Sequence, residues 1–394
     1  MKATSLLALA LLACHQADDE PVSPSIVLVT IDTWRADHLD HVFTPHIDAL
    51  AQEGWRFEHA WTPIGLTSPA HATLLSGLLP AVHGMRANNH QGSELPWTVA
   101  TIAEHAREAG WRTAAFVSAY PAGPAGGLDQ GFEVFDGPES GERPGEVAVR
   151  KARDWLGTLP RGTSSLLWVH LYEPHGPYQP PEEDAHAVGA SRGERDRYAA
   201  EVHAADRMLA PLLQDARARG AFLAVTSDHG EVLDEEVCAW QHERSIHESV
   251  LRVPLVIAGP GVAPAVRGEW VGLQDVAPTL VSLAGLPPWA GRNGPTLAAP
   301  GPGRDTWLAE SGLCEPDCAP GCAPTGLGGR DRVLIGPTWR VVDRPGRGAW
   351  AEGTGAPLPA DWPALLSPLP PLPSPSAPTD PASEEAARAL GYTP

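Results

Sequence analysis

The chain has 394 residues, enough for a large α/β core and a smaller appendage. Its formal net charge of −20 excludes nucleic-acid binding through a general basic surface, and an anionic partner has to be attracted locally, by a metal and nearby histidines or arginines. Beyond the N-terminus no stretch approaches the roughly 18 apolar residues of a spanning helix.

In chain order, the N-terminus reads as a targeting segment. Lys2 supplies positive charge, Leu6 to Ala13 form a short apolar region, and Leu11-Leu12-Ala13-Cys14 closes it like a bacterial lipoprotein signal. On this reading residues 1–14 are the signal segment, Cys14 is the lipid anchor to a membrane, and 15–24 are a polar tether. The protein then sits in a bacterial cell envelope, extracytoplasmic and lipid-anchored; the alternative is ordinary secretion with an incidental cysteine.

Residues 25–31 form an apolar strand. Thr44-Pro45 opens a helix that Gly54 closes, and a second helix spans Pro69 to Ser76 with Gly77 behind it. A helix from about Thr98 to Ala109 precedes the strand Thr113 to Val117, and a helix from Glu146 to Leu156 precedes the strand Ser165 to Leu171. The pattern from Glu194 to Arg219 is helical, with a kink expected at Pro211. The strands Ala221 to Thr226 and Val253 to Ala258 follow, then a helix from Asp275 to Ala284.

Strands alternating with helices predict an α/β fold. Its core is a doubly wound, mostly parallel sheet flanked by helices, over residues 25–300. Residues 301–394 read as a small C-terminal α+β region. It has a hairpin at Val333 to Ile335 and Trp339 to Val342, a proline-rich strap over 357–382 and a terminal helix from Ser383 to Leu390. Cys238, Cys314, Cys318 and Cys322 allow two disulfides of undetermined pairing; the last three also allow a metal cluster, although their spacing matches no common zinc signature.

Ligands of doubly wound sheets gather beyond the carboxyl ends of the strands. Asp32 follows the first strand there, and Asp228-His229-Gly230 follows the strand ending at Thr226. Two carboxylates and an imidazole suit one divalent cation, manganese or zinc ahead of calcium or magnesium, which prefer all-oxygen shells. Thr67 lies at the mouth of a helix, with Ser68 as the expected cap and Pro69 at its first position. A hydroxyl there, joined to the metal set Asp32, Asp228 and His229, is a nucleophile for a phosphorus or sulfur centre; the plainer alternative is a second capping residue.

Several segments together resemble sulfatases and their relatives in the alkaline phosphatase superfamily. Ile31-Asp32-Thr33-Trp34-Arg35-Ala36-Asp37-His38-Leu39 with Thr44-Pro45-His46-Ile47-Asp48-Ala49-Leu50 is similar to the family's opening. Thr67-Ser68-Pro69-Ala70-His71-Ala72-Thr73-Leu74-Leu75-Ser76-Gly77 resembles the segment carrying the nucleophile. His170-Leu171-Tyr172-Glu173-Pro174-His175-Gly176-Pro177-Tyr178 resembles the substrate-binding histidine loop, and Ser227-Asp228-His229-Gly230-Glu231 the second metal-binding stretch. His242, Arg252 to Ile257, Gln274 to Leu280 and Ala389-Leu390-Gly391-Tyr392 also look familial.

The departures carry information. Sulfatases have a cysteine or serine, oxidised to formylglycine, where Thr67 stands, an arginine where His71 stands and usually an aspartate where Thr33 stands. A threonine nucleophile is similar instead to the phosphorus-directed branches: nucleotide pyrophosphatases/phosphodiesterases, phosphoethanolamine transferases and lipoteichoic acid synthase. The loop around His175 offers one histidine, which implies one metal.

Further roles follow from the resemblance. His71 contacts the transferred group or polarises Thr67, or else is a helix-face histidine bonded to backbone. His175 and His242 bind the anionic group's oxygens or protonate the leaving oxygen. His247 reads as packing, His83 as a residue that orients the site, and Arg35 as a partner of a carboxylate or of substrate. The expected function is a metal-dependent hydrolase of an anionic ester, most of all phosphate mono- or diesters, with Thr67 forming a covalent intermediate. The alternatives are a sulfuric ester hydrolase without formylglycine, a phospho-group transferase and a non-catalytic glycan-binding lipoprotein.

Overall fold

A computed structural model describes residues 23–89, 93–191, 193–234, 242–292, 296–298, 304–311, 330–344, 348–353, 358 and 360–366. Cys14, Cys238, Cys314, Cys318, Cys322, most of the proline-rich strap and the terminal helix lie outside the described residues. No helix among the described residues is long and apolar enough to cross a membrane.

The main sheet contains β1 (Ser25–Ile31), β2 (Trp55–Trp61), β3 (Arg112–Val117), β4 (Val134–Asp136), β5 (Ser165–Leu171), β6 (Phe222–Thr226), β7 (Arg252–Ala258) and β8 (Ala265–Gly272). Their spatial order is β4-β3-β5-β1-β6-β7-β2-β8. All neighbours pair parallel except at β7, which runs antiparallel to both β6 and β2. A smaller antiparallel sheet, in the order β12-β11-β10-β9, combines β9 (Trp307–Glu310), β10 (Arg332–Ile335), β11 (Trp339–Arg344) and β12 (Gly348–Gly353).

The central strands are continuous apolar runs because both of their faces are covered. Along β1 the side chains alternate between two cores: Ile26 and Leu28 enter one cluster, Val27, Val29 and Ile31 the other. The carboxyl ends of β5, β1 and β6 therefore form one platform. Ser227 fastens it: its hydroxyl donates to Ile31 O at 2.7 Å and accepts from Trp34 N at 3.0 Å.

Some local expectations change. The helix after β2 begins at Thr67, not Pro69, with Leu66 at its cap, and ends at Gly77 in the left-handed region. Ser68 does not cap it: its hydroxyl donates to Pro121 O at 2.7 Å, and its amide donates to Asn88 Oδ1 at 2.9 Å. The helix Glu194–Ala218 continues through Pro211 as one element. The helix Pro45–Ala51 receives no cap from Thr44; Asp206, from the long helix, accepts from the His46 and Ile47 amides at 3.0 and 2.8 Å.

Glu201, on the same long helix, is buried and accepts from the Gln179 amide. Burial pushes its carboxyl up to about 8, and neighbouring Glu173 and Glu142 add to the shift. Between the ordinary carboxyl range and about 8 the unfolded chain has released this proton while the folded chain keeps it, so stability falls as pH rises through that window. Glu201→Gln keeps the acceptor and removes the titration. It is expected to flatten the fall and to raise stability on its alkaline side by on the order of 3 kcal/mol, read from denaturant melts across the window.

Candidate active site

Asp32 follows β1 directly, its amide donating to Leu171 O at 2.9 Å, so the parallel pairing of β1 with β5 delivers it to the platform. Asp228 and His229 follow β6 by the same logic. Gly230 is required there because a Cβ would lie 1.9 Å from Ser249 O. One ligand atom from each of Asp32, Asp228 and His229 lies within 4.8 Å of the others, and all three residues are fully buried. Asp32 Oδ1 and Asp228 Oδ2 have no hydrogen-bond partner. Two buried carboxylates with bare oxygens, beside an imidazole, have the donor set and the uncompensated charge that a divalent cation would satisfy.

His229 is oriented for ligation. Its Nδ1 bonds to Gly230 O at 3.0 Å, so Nδ1 carries the proton and Nε2 faces Asp228 Oδ2 at 3.4 Å. Burial pushes both carboxyl groups up, Asp228 further through Asp32; burial lowers His229, but Asp228 and Asp32 outweigh it and leave the ring raised. Thr67 joins this cluster at the first turn of its helix. Its hydroxyl donates to Asp32 Oδ2 at 3.4 Å and lies 3.5 Å from His229 Nε2. Thr33, next to Asp32, sits at φ 51°, a strained conformation for a β-branched residue, with a buried hydroxyl that has no partner.

A family model described as Sulfatase matches residues 24–286. The chain belongs to the sulfatase family. Members of this family are ester hydrolases that use a divalent metal ion, and the Asp-Asp-His cluster is where this chain could hold one. The chain is 26% identical over 329 residues to an ulvan-active sulfatase of Formosa agariphila, covering 69% of this chain and 63% of that protein. It is 25% identical over 362 residues to a choline-sulfatase of Rhizobium meliloti, covering 67% and 68%. Among solved structures, the phosphonate monoester hydrolase of Agrobacterium radiobacter superposes with a TM-score of 0.69 at 19% identity, covering 84% of this chain and 89% of that one. The mostly parallel sheet flanked by helices, with its small antiparallel C-terminal sheet, is the sulfatase/alkaline phosphatase fold.

The remaining histidines of this sulfatase-family chain divide by their contacts. His71 is fully buried with both nitrogens engaged, Nδ1 with Thr67 O at 2.8 Å and Nε2 with Thr30 Oγ1 at 3.0 Å. Trp168 Nε1 donates to the same Thr30 oxygen at 3.0 Å, so Thr30 gives its own proton to His71 Nε2 and His71 Nδ1–H donates to the Thr67 carbonyl. Burial pushes His71 down to about 3, so it is a neutral brace on the turn that carries Thr67.

His242 is buried and stacks on His229, its Nδ1 3.3 Å from Glu231 Oε1 and its Nε2 without a partner. Burial holds His242 well below the usual range and pushes Glu231 up to about 7. His175 bonds through Nδ1 to Gly176 O at 2.8 Å and packs edge-on against His242. His83 braces Thr73 of the helix Thr67–Ser76 at 3.0 Å, and His247 caps the short helix Glu248–Leu251. Arg35 pairs with Asp37 at 2.6 Å and bonds to Glu231 O.

Three functional candidates escape sequence reasoning. His170 Nδ1 accepts from the Ser118 amide at 3.4 Å, which directs its Nε2 proton to Asp32 Oδ2, also at 3.4 Å. Asn88, which holds the Ser68 amide, keeps a fully buried Nδ2 without a partner. The Ser118 hydroxyl is likewise buried and unpaired. Neither Asn88 nor Ser118 lies in a segment with a readable motif; only their convergence in space marks them.

Proposed function

We propose that the chain hydrolyses phosphate mono- or diesters, with Thr67 as a nucleophile that is transiently phosphorylated. The observation that carries this reading is the Thr67 hydroxyl, buried at a helix N-terminus and donating to Asp32 Oδ2 at 3.4 Å beside His229. Asp32, Asp228, His229 and Thr67 would hold one divalent cation, with manganese or zinc suiting the mixed oxygen–nitrogen set, whose charge would favour the deprotonated Thr67 oxygen and the anionic ester.

The residues divide the work. Thr67 Oγ forms a bond to phosphorus as the bond to the leaving oxygen breaks, and its proton passes to Asp32 Oδ2. Asn88 Nδ2 and the Ser118 hydroxyl donate to non-bridging oxygens, and His175 meets the group from the opposite loop. His242 Nε2 protonates the leaving oxygen while Glu231 passes its proton to His242 Nδ1. Water then attacks phosphorus and breaks the bond to Thr67 Oγ. One water proton passes to His242 Nε2 while His242 Nδ1 returns its proton to Glu231, and Asp32 gives its proton back to Thr67. His71 and His170 hold Thr67 and Asp32 in place throughout.

A second reading, sulfate ester hydrolysis without formylglycine, is favoured by relatives that are sulfatases. Matched 4-nitrophenyl phosphate, bis-phosphate and sulfate esters separate the two. The purified protein with manganese or zinc is expected to turn over a phosphate ester at least ~10-fold faster in kcat/KM than the sulfate ester, a difference of about 1.4 kcal/mol in the barrier. The reverse order selects the second reading.

A further inference from the structure

Beside the nucleophile loop lies a charge cluster that the reaction above does not use. Glu310, at the end of β9, donates its amide to Pro63 O at 2.9 Å and pairs with Ile64, just ahead of Thr67. Its carboxylate faces Arg86 Nε at 3.3 Å. Arg86 stands two residues before Asn88, so it belongs to the same loop that grips the nucleophile helix. Arg330 adjoins the cluster, the Asp331 amide after it donating to Ser311 Oγ at 3.0 Å: the residue is 6% exposed, and its Nε and both Nη atoms have no hydrogen-bond partner.

Among the described residues, the neighbouring acids Asp331 and Asp343 are committed elsewhere. Asp331 pairs with Arg344 at 2.8 Å, and Asp343 with Arg332 at 3.1 Å. Arg330 is thus buried beside Glu310, which Arg86 also faces, with no hydrogen-bond acceptor for its guanidinium, in a chain whose net charge is −20. A guanidinium taken out of water without an acceptor is strongly unfavourable, and its planar fork matches a sulfate, phosphate or carboxylate. The Arg330 fork beside the Thr67 loop therefore has the chemistry to receive an anion.

We infer that Arg330, supported by Arg86, binds a second, non-reacting anionic group carried by the leaving portion of the substrate. This deepens the function proposed above and rests on Thr67 marking the reacting centre. The preferred substrates are then polyanionic: esters bearing another sulfate, phosphate or carboxylate.

Two measurements test it on the full chain. In the first, kcat/KM is compared for aryl esters with and without a second sulfonate on the ring. Arg330→Gln is expected to lower the ratio of the dianionic to the monoanionic ester about tenfold or more. In the second, melting temperature is followed against inorganic sulfate, which needs no turnover and so stands whether or not Thr67 is the nucleophile. Any anion site shared by the two proteins cancels in a comparison of wild type with Arg330→Met. The variant is expected to melt at or above wild type without sulfate, because an unpaired buried charge is gone, and to lose most of the sulfate-dependent rise. Equal sulfate responses, or an Arg330→Met protein that melts far below wild type, overturn the subsite. A sulfate response without a change in the ester ratio overturns its assignment to the substrate.

Discussion

Replacing Thr67 with alanine is expected to lower kcat on a phosphate ester ~10,000-fold or more, the scale seen when a covalent nucleophile is removed. The loss should fall on kcat rather than KM, because Asn88, Ser118 and His175 remain to hold the ester. Thr67→Ser keeps the hydroxyl and should retain measurable turnover, with ³²P label trapped on the protein after an acid quench. Thr67→Ala should trap none. The fold is expected to survive: Thr67 contributes one hydroxyl contact to Asp32 at 3.4 Å, while its carbonyl, which braces His71, is backbone and stays. Melting curves with and without manganese or zinc provide the control. Undiminished turnover in Thr67→Ala removes covalent catalysis by this residue and leaves direct attack by water.

The parts of the fold that could be read from sequence are those where burial is symmetrical. β1, β5 and β6 are short apolar runs covered on both faces, and their ends place Asp32 and Asp228 without any tertiary information. β2 is different. Its alternation holds through Trp55 and Phe57 and then slips at an irregularity before Ala60, so the residues Trp-Arg-Phe-Glu-His-Ala-Trp never show a steady period. β8 is an edge strand, largely exposed over its first half, and lacks a buried face to print a pattern.

The site divides in the same way. Residues at strand ends are legible because topology delivers them. Asn88, Ser118 and Arg330 are polar residues whose meaning lies in side-chain atoms left without a hydrogen-bond partner at full or near-full burial, and that of His170 in its approach to Asp32. That property exists only once the chain is folded. The start of the helix Thr67–Ser76 shows the same limit. Ser68-Pro69 is a good local capping signal, yet Asn88 takes the Ser68 amide, so a distant side chain overrides the local one and Thr67 itself becomes the first helical residue.

Asp228→Asn should separate stability from metal response more sharply than any other single substitution. In the metal-free chain Asp32 and Asp228 are buried together, Asp32 raising the cost of the Asp228 charge, and His229, His71 and His170 offset it only in part, so the Asp228 carboxyl stays raised. Removing one charge relieves that repulsion, and the asparagine oxygen can still accept the His229 amide, which Asp228 Oδ1 receives at 2.9 Å. In a chelator the variant is therefore expected to melt at or above wild type. With metal the order reverses. A cation present at about 100 times its dissociation constant stabilises wild type by roughly 2.7 kcal/mol, or on the order of 5–10 °C in melting temperature, and the variant should show little of this rise. Turnover of the variant should fall ~1,000-fold or more, since the charge that favours an ionised Thr67 is lost with the metal. Calorimetric titration with manganese and zinc, beside paired melting curves, checks both halves. A variant that binds metal as wild type does would place the cation elsewhere and detach Thr67 from it. A variant that melts well below wild type in chelator would instead make Asp228 a structural carboxylate, held by His71 and His229 rather than poised for a cation.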